Sequence, residues 1–178
     1  MKRKRYAMIV FLCVLVVWLL FYIRMSFLIK EPEEVVYRQG DTFKYYGLEI
    51  TPEDLEIYDY NEFKSRYGKP DENYSDEEHD RYVVVNIHSK NKTGKDINIK
   101  AGISTWTMSI DNYSNGQSAD LMGLNSVRPY EKDADVDLKL FFRFADGQTY
   151  QGNIEKIRKS TICIYMSYYP ELRYIKYE

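Results

Sequence analysis

VDLKLFFRF, residues 136–144, places Val136, Leu138, Leu140, Phe142 and Phe144 at every second position, with Asp137, Lys139 and Arg143 on the alternate side. Side chains along a strand point alternately to opposite faces, so this stretch predicts a β-strand with one face buried. Upstream, RYVVVNIHSKNKTGKDINIK (81–100) predicts a hairpin. Val83, Val85 and Ile87 point inward, the turn lies near Asn91–Lys95, and Ile97 and Ile99 resume the alternation. Trp106, Met108 and Ile110 mark a further strand face, and DNYSNGQS (111–118) is rich in turn residues. Toward the C-terminus, GNIEKIRK predicts one helical turn, STICIYMSYY a strand ending at Pro170, and LRYIKYE an edge segment. Closer to the N-terminus, strand signals cover Thr42–Ile50 and Leu55–Tyr60, separated by Thr51-Pro52. NEFKSRYG (61–68) predicts a short helix, capped by Asn61, with Phe63 and Tyr67 on one face and Gly68 ending it. Seven or so short strands without a long amphipathic helix predict an all-β fold, an immunoglobulin-like β-sandwich, over residues 42–178.

What precedes the sandwich is different in kind. Tyr6 to Ile23 are 18 consecutive residues without a charge, enough to cross a hydrocarbon core. Arg24 interrupts the apolar run, but its charge can reach the interface while its stem stays in lipid, and Trp18 and Tyr22 suit the interfacial belt. The run is longer than a signal-peptide core, and RMSFLIKEPEE offers no small-x-small cleavage site. Cys13 sits in mid-run behind the bulky Phe11 and Leu12, which does not suit lipid attachment. Residues 6–29 therefore read as one transmembrane signal anchor, residues 1–5 as a basic tail and residues 30–41 as a polar linker. Lys2, Arg3, Lys4 and Arg5 predict a cytoplasmic N-terminus and an extracytoplasmic sandwich in the cell membrane.

Charge and composition narrow the function. The chain has 25 Lys/Arg and 27 Asp/Glu. Residues 1–30 hold six of the basic residues and no acid, so the remainder carries a net charge of −8. An acidic domain argues against nucleic acid as a partner. With two cysteines, one of them in the apolar run, no disulfide within the outer domain is possible, which suggests a bacterial exterior or simply a core large enough without staples. Asn-x-Ser/Thr patterns at Asn73, Asn91 and Asn112 read as chance matches. Tyrosine is abundant, 18 residues, as suits both strands and recognition surfaces.

IYDYNEFKSRYG (57–68) and CIYMSYYPELRYIKYE (163–178) resemble segments of small bacterial membrane-anchored proteins of unknown function. Those in turn resemble the broader group with telokin-like, immunoglobulin-like outer domains, common in Gram-positive bacteria. The resemblance covers most of residues 40–178. It implies a β-sandwich held outside the cell and brings no catalytic residues with it. The acidic stretch 69–80 departs from the pattern, and so does the absence of the lipid anchor carried by many members of the broader group.

The candidate chemistry is sparse. Asp71, Glu72, Asp76, Glu77, Glu78 and Asp80 supply hard oxygen ligands for a weak cation loop, but without the spacing and glycine of a calcium-binding loop. A solvated loop is the simpler expectation. His79 and His88, the only histidines, have no metal-ligand spacing. Cys163 with His88 is the one thiol–base combination available, and a structural strand thiol is the expectation. No nucleophile elbow or phosphate-cradling loop occurs. Glu53, Asp54, Glu56 and Asp59 crowd a strand start without indicating the cleft that glycoside hydrolysis needs. Tyr58, Tyr60, Tyr165 and Tyr169 form a candidate binding surface. The expectation is a non-enzymatic module without a cofactor, anchored through residues 6–29 and holding a membrane protein, a peptide or a cell-wall component. The alternatives are an immunity or sensing protein for a membrane-active cationic peptide, or a surface hydrolase.

Overall fold

Alternation along the strands and a run buried on both faces together build two sheets. The computed structural model describes residues 2–28, 30–68, 70, 80–97, 102–110, 113–122, 124, 128–145 and 154–178. It divides into two units, residues 1–33 and 34–178. The first holds one helix, α1 (Lys2–Leu28). From Arg3 to Leu28 it is long and apolar enough to cross a membrane, and none of that stretch is buried against protein. Apolar side chains project on every side of it.

The second unit contains β1 (Glu33–Arg38), β2 (Phe43–Tyr45), β3 (Leu48–Asp59), α2 (Tyr60–Tyr67), β4 (Asp80–Asn91), β5 (Thr107–Ile110), β6 (Tyr113–Gly116), α3 (Ala119–Met122), β7 (Asp135–Ala145), α4 (Ile154–Ile157), β8 (Ile162–Ser167) and β9 (Glu171–Tyr177). One sheet has the order β1-β9-β8-β5-β6 and the other β2-β3-β4-β7. Consecutive strands β4 and β5 lie in different sheets, as do β7 and β8, while β4 pairs β7 and β5 pairs β8. That double crossover is the one that defines an immunoglobulin-like sandwich. Trp106, fully buried, precedes β5, the strand on which antibody domains carry their buried tryptophan. The core behind it joins Val83, Val85 and Ile87 of β4, Leu138, Leu140, Phe142 and Phe144 of β7, and Ile162 and Ile164 of β8.

β4 is apolar on both sides. Tyr82, Val84 and Phe141 turn away from the core and pack with Tyr60 and Phe63 of α2 and Leu121 of α3 in a second cluster. Helix α2 begins where Asp59 and Glu62 close a capping box: the Glu62 amide donates to Asp59 Oδ1 at 2.8 Å, and the Asp59 amide to Glu62 Oε2 at 2.9 Å. Gly68, at φ +91°, ends the helix. The cap is thus Asp59, not Asn61.

The structure corrects five other expectations. The signal at Thr42–Ile50 contains a hairpin, because Tyr46 and Gly47, both at positive φ, make a two-residue turn between β2 and β3. β3 runs through Pro52 with a register shift between Pro52 and Leu55 instead of breaking there. β4 does not pair with Ile97–Ile99: its partners are β3 and β7, Ile97 bonds through its amide to the Tyr130 carbonyl at 2.8 Å, and Ile99 lies outside the described residues. The segment 30–41 contains β1, whose neighbour β9 is an interior strand and not an edge. The pattern at Asn91 is structural. Its side chain is buried, donates to the carbonyls of Lys95 and Glu131 at 2.8 Å each, and accepts from the Thr93 hydroxyl at 2.7 Å.

Candidate functional site

Two turns meet at one end of the sandwich. The Tyr46-Gly47 turn sends Tyr46 outward, 64% exposed, while Tyr45 goes inward to meet Trp106 edge-on at 5.1 Å. The β8–β9 turn presents Tyr168 and Tyr169, 55% and 73% exposed, next to a cis Tyr169–Pro170 bond. Ser167 closes this turn by donating from its hydroxyl to the Glu171 carbonyl at 2.7 Å. Between the turns lies a cleft of about 380 Å³ walled by Tyr46, Tyr169 and Pro170, with Met166, Glu171 and Arg173 also lining it. Arg173 Nε donates to Glu171 Oε2 at 2.6 Å, so the two side chains are oriented by each other. That volume is within the range of small-ligand sites, and aromatic walls beside a fixed ion pair suit a ligand with one apolar face and several polar groups.

Behind the cleft the tyrosines continue over the sheet. Tyr165 stacks on Tyr168 at 5.3 Å and meets Tyr174 at 5.1 Å. The Tyr168 hydroxyl lies 2.7 Å from Thr107 Oγ1. Tyr174 donates to Glu34 Oε1 at 2.6 Å. That hydrogen bond first, and burial second, push its pKa up to about 12.

The four tyrosines read from the sequence divide. Tyr165 and Tyr169 belong to this end of the molecule. Tyr60 is 1% exposed and forms part of the second cluster, so it presents no surface. Tyr58 is half-buried against the same cluster, with the Arg66 guanidinium 5.7 Å from its ring centre. Burial, reinforced by the neighbouring Glu56, raises its pKa. Tyr46, Tyr168, Glu171 and Arg173 were not read as site residues. The Tyr-Gly and Tyr-Tyr-Pro turn signatures are the signals that mark the two turns.

Of the acidic cation loop, Asp71, Glu72, Asp76, Glu77 and Glu78 lie outside the described residues. Asp80 opens β4, is buried, and accepts from the Tyr82 hydroxyl at 3.2 Å, so it belongs to the strand. Among the described residues no group of three or more His, Cys, Asp and Glu is arranged to hold a metal ion. Cys163 and His88 sit in different sheets, and burial raises the Cys163 thiol, which disfavours the thiolate. His88 is held instead between Asp137, 2.7 Å from Nδ1, and Asp135, 2.9 Å from Nε2. Of the crowded carboxylates, Asp59 caps α2 and Glu56 pairs with Arg66 at 3.4 Å.

Comparison with known proteins adds a family. Residues 33–173 match the model of a domain of unknown function, DUF5028. The chain belongs to that family. No curated protein matches it. An uncharacterised β-sandwich protein from Clostridium difficile 630, known from a crystal structure, is similar at 14% identity and a TM-score of 0.47, covering 84% of this chain and 97% of its own.

Proposed function

We propose that this DUF5028 protein is a non-enzymatic binding module tethered to the cell membrane by α1, with its N-terminus cytoplasmic and its sandwich outside. Four basic residues, Lys2 to Arg5, open a helix whose following residues are apolar on all sides, the pattern of an N-in anchor. The observation that carries the binding role is the end cleft, where Tyr46 and Tyr169 stay exposed beside an oriented Arg173–Glu171 pair. Exposed aromatic groups with fixed polar neighbours are the composition of recognition surfaces. The partner is a component of the outer membrane face: a membrane protein, a peptide or a cell-wall element.

A photo-reactive residue placed at Tyr169 of the full-length chain, irradiated in its own membranes, tests this. The expected result is a defined adduct that is absent when the same residue replaces Lys159, an exposed position in the α4–β8 turn. Identical adduct patterns from both positions, or none from Tyr169, would reject the cleft as the binding site.

A further inference from the structure

A second cleft, of about 350 Å³, lies away from the two tyrosine turns and is lined by Asp54, Leu55, Ile57, Arg158, Ile162, Tyr177 and Glu178, among others. It is built on the irregularity in β3. The register shift between Pro52 and Leu55 sets two β3 residues, Glu53 and Asp54, against the single β4 residue Asn86, and bulges of this kind re-aim side chains beside sites. Asp54 accepts a hydrogen bond from Asn86 Nδ2 at 2.8 Å. Neither Glu53 nor Asp54 makes an ion pair among the described residues.

The decisive observation is Tyr177. Its side chain is 9% exposed, and its hydroxyl is buried without a hydrogen-bond partner among the described residues. Leaving a buried hydroxyl unpaired costs its full desolvation, so such groups call for an explanation. Asp54 lines the same cleft as Tyr177, and burial first, with the charges of Asp54 and Glu53 behind it, raises the Tyr177 pKa. Of the cations nearby, two are paired with carboxylates, while Lys139 bonds through Nζ to Oδ1 of the Asn86 amide that holds Asp54. Arg158 is engaged by Glu62 at 2.7 Å and Glu155 at 3.0 Å, and Lys176 pairs with Glu178. The lining therefore combines an aliphatic stretch (Leu55, Ile57, Ile162), free carboxylate charge and an oxygen acceptor without a donor.

We propose that this cleft binds a primary ammonium group on an aliphatic stem, as carried by a lysine side chain of a cationic peptide. The stem lies along Leu55, Ile57 and Ile162. The ammonium, which has three donors and no acceptor, bonds Asp54 and the Tyr177 hydroxyl, and Glu53 adds a field of the same sign. The proposal is independent of the tyrosine cleft and stands or falls apart from it.

Calorimetry with the full-length chain in detergent micelles tests it, with Nα-acetyl-lysine amide as the probe and Nα-acetyl-norleucine amide as its uncharged counterpart. Saturable binding of the lysine probe alone is expected, weakened about tenfold by Asp54→Asn and several-fold by Tyr177→Phe, as for a hydrogen bond to a charged group. Tyr177→Phe keeps the ring, so its melting temperature stays equal to or above the parent's. That outcome separates a ligand-binding hydroxyl from one that holds the fold. Equal binding of the two probes, no binding of the lysine probe at millimolar concentration, or unchanged affinity in Asp54→Asn would overturn the proposal.

Discussion

Replacing Phe63 by alanine asks whether α2 is an ornament on the sandwich or part of its stability. Phe63 is 1% exposed, stacks on Tyr82 at 4.1 Å, and meets Tyr67, Phe141 and Tyr58 at 5.0, 6.1 and 6.4 Å. Tyr82 and Phe141 belong to paired strands, so the space left by the ring cannot close by a small movement of one loop. Burying phenylalanine and then truncating it to alanine costs about 3–5 kcal/mol, and the poor collapse argues for about 4 kcal/mol here. A domain of this size holds about 5–15 kcal/mol in total, so the variant folds with a much lower midpoint. Removing the cap with Asp59→Ala takes away only the capping box and costs about 1 kcal/mol. Urea unfolding of residues 30–178 measures both, followed by tryptophan fluorescence, since the chain's two tryptophans are Trp18 and Trp106 and Trp106 alone remains in that segment. The expected result is a large shift for Phe63→Ala, a small one for Asp59→Ala, and an unchanged slope with denaturant. A Phe63→Ala cost no larger than that of Asp59→Ala would refute the reasoning that the second cluster acts as a core.

His88 bridges Asp137 and Asp135, with Lys90 also on Asp135 and Glu53 nearby. The Asp137 hydrogen bond is the largest influence and raises its pKa above 6.5 in the fold. The stabilisation by charged His88 is then complete below about pH 6.5 and is lost as pH rises through the raised folded value. His88→Gln should accordingly cost more stability at pH 5.5 than at pH 8.5, and a cost independent of pH would contradict this. Gly47→Ala forces a Cβ into a backbone at φ +91°, 2.8 Å from Thr93 Cγ2, and should destabilise the domain by about 1–2 kcal/mol. Thermal melts of Gly47→Ala with and without Thr93→Ser separate the two causes. Relief by Thr93→Ser should be partial, and full recovery would show that the turn has no left-handed requirement.

The strands of the core were legible because one-sided burial writes itself as period two: β7 and the inner face of β4 are read directly from Leu138, Leu140, Phe142, Val83, Val85 and Ile87. The second cluster was not, since Val84 and Phe141 occupy the other parity and are buried by a helix whose contact with β4 is not written in either segment. The error at Tyr60 has the same origin. Strand parity predicts an outward Tyr60, but Asp59 caps a helix, and Tyr60 follows helical phase into the second cluster. β1 escaped notice because EEVVYR is short and charged at its ends and its partner lies far along the chain: Glu34 and Tyr174 are 140 residues apart. The tyrosine cleft was half-read. Tyr169 is legible through its alternation with Tyr165, while Tyr46 lies inside the strand signal Thr42–Ile50, and only its positive φ marks a turn. The second cleft depends on the bulge in β3 and on which hydroxyl lacks a partner, and neither is written locally in the residues that line it.

An uncleaved anchor with the sandwich outside is the state proposed for the protein in its membrane. One experiment addresses both halves: full-length chain carrying Cys13→Ser, Cys163→Ser and Tyr169→Cys, treated in intact cells with a membrane-impermeant maleimide and resolved by size. Tyr169 is 73% exposed, so the thiol is open to the reagent wherever the reagent can reach. The expected result is a labelled band of full-length size without lysis. Label appearing only after lysis, or on a band shortened by about 25 residues as after signal-peptide cleavage, would contradict it.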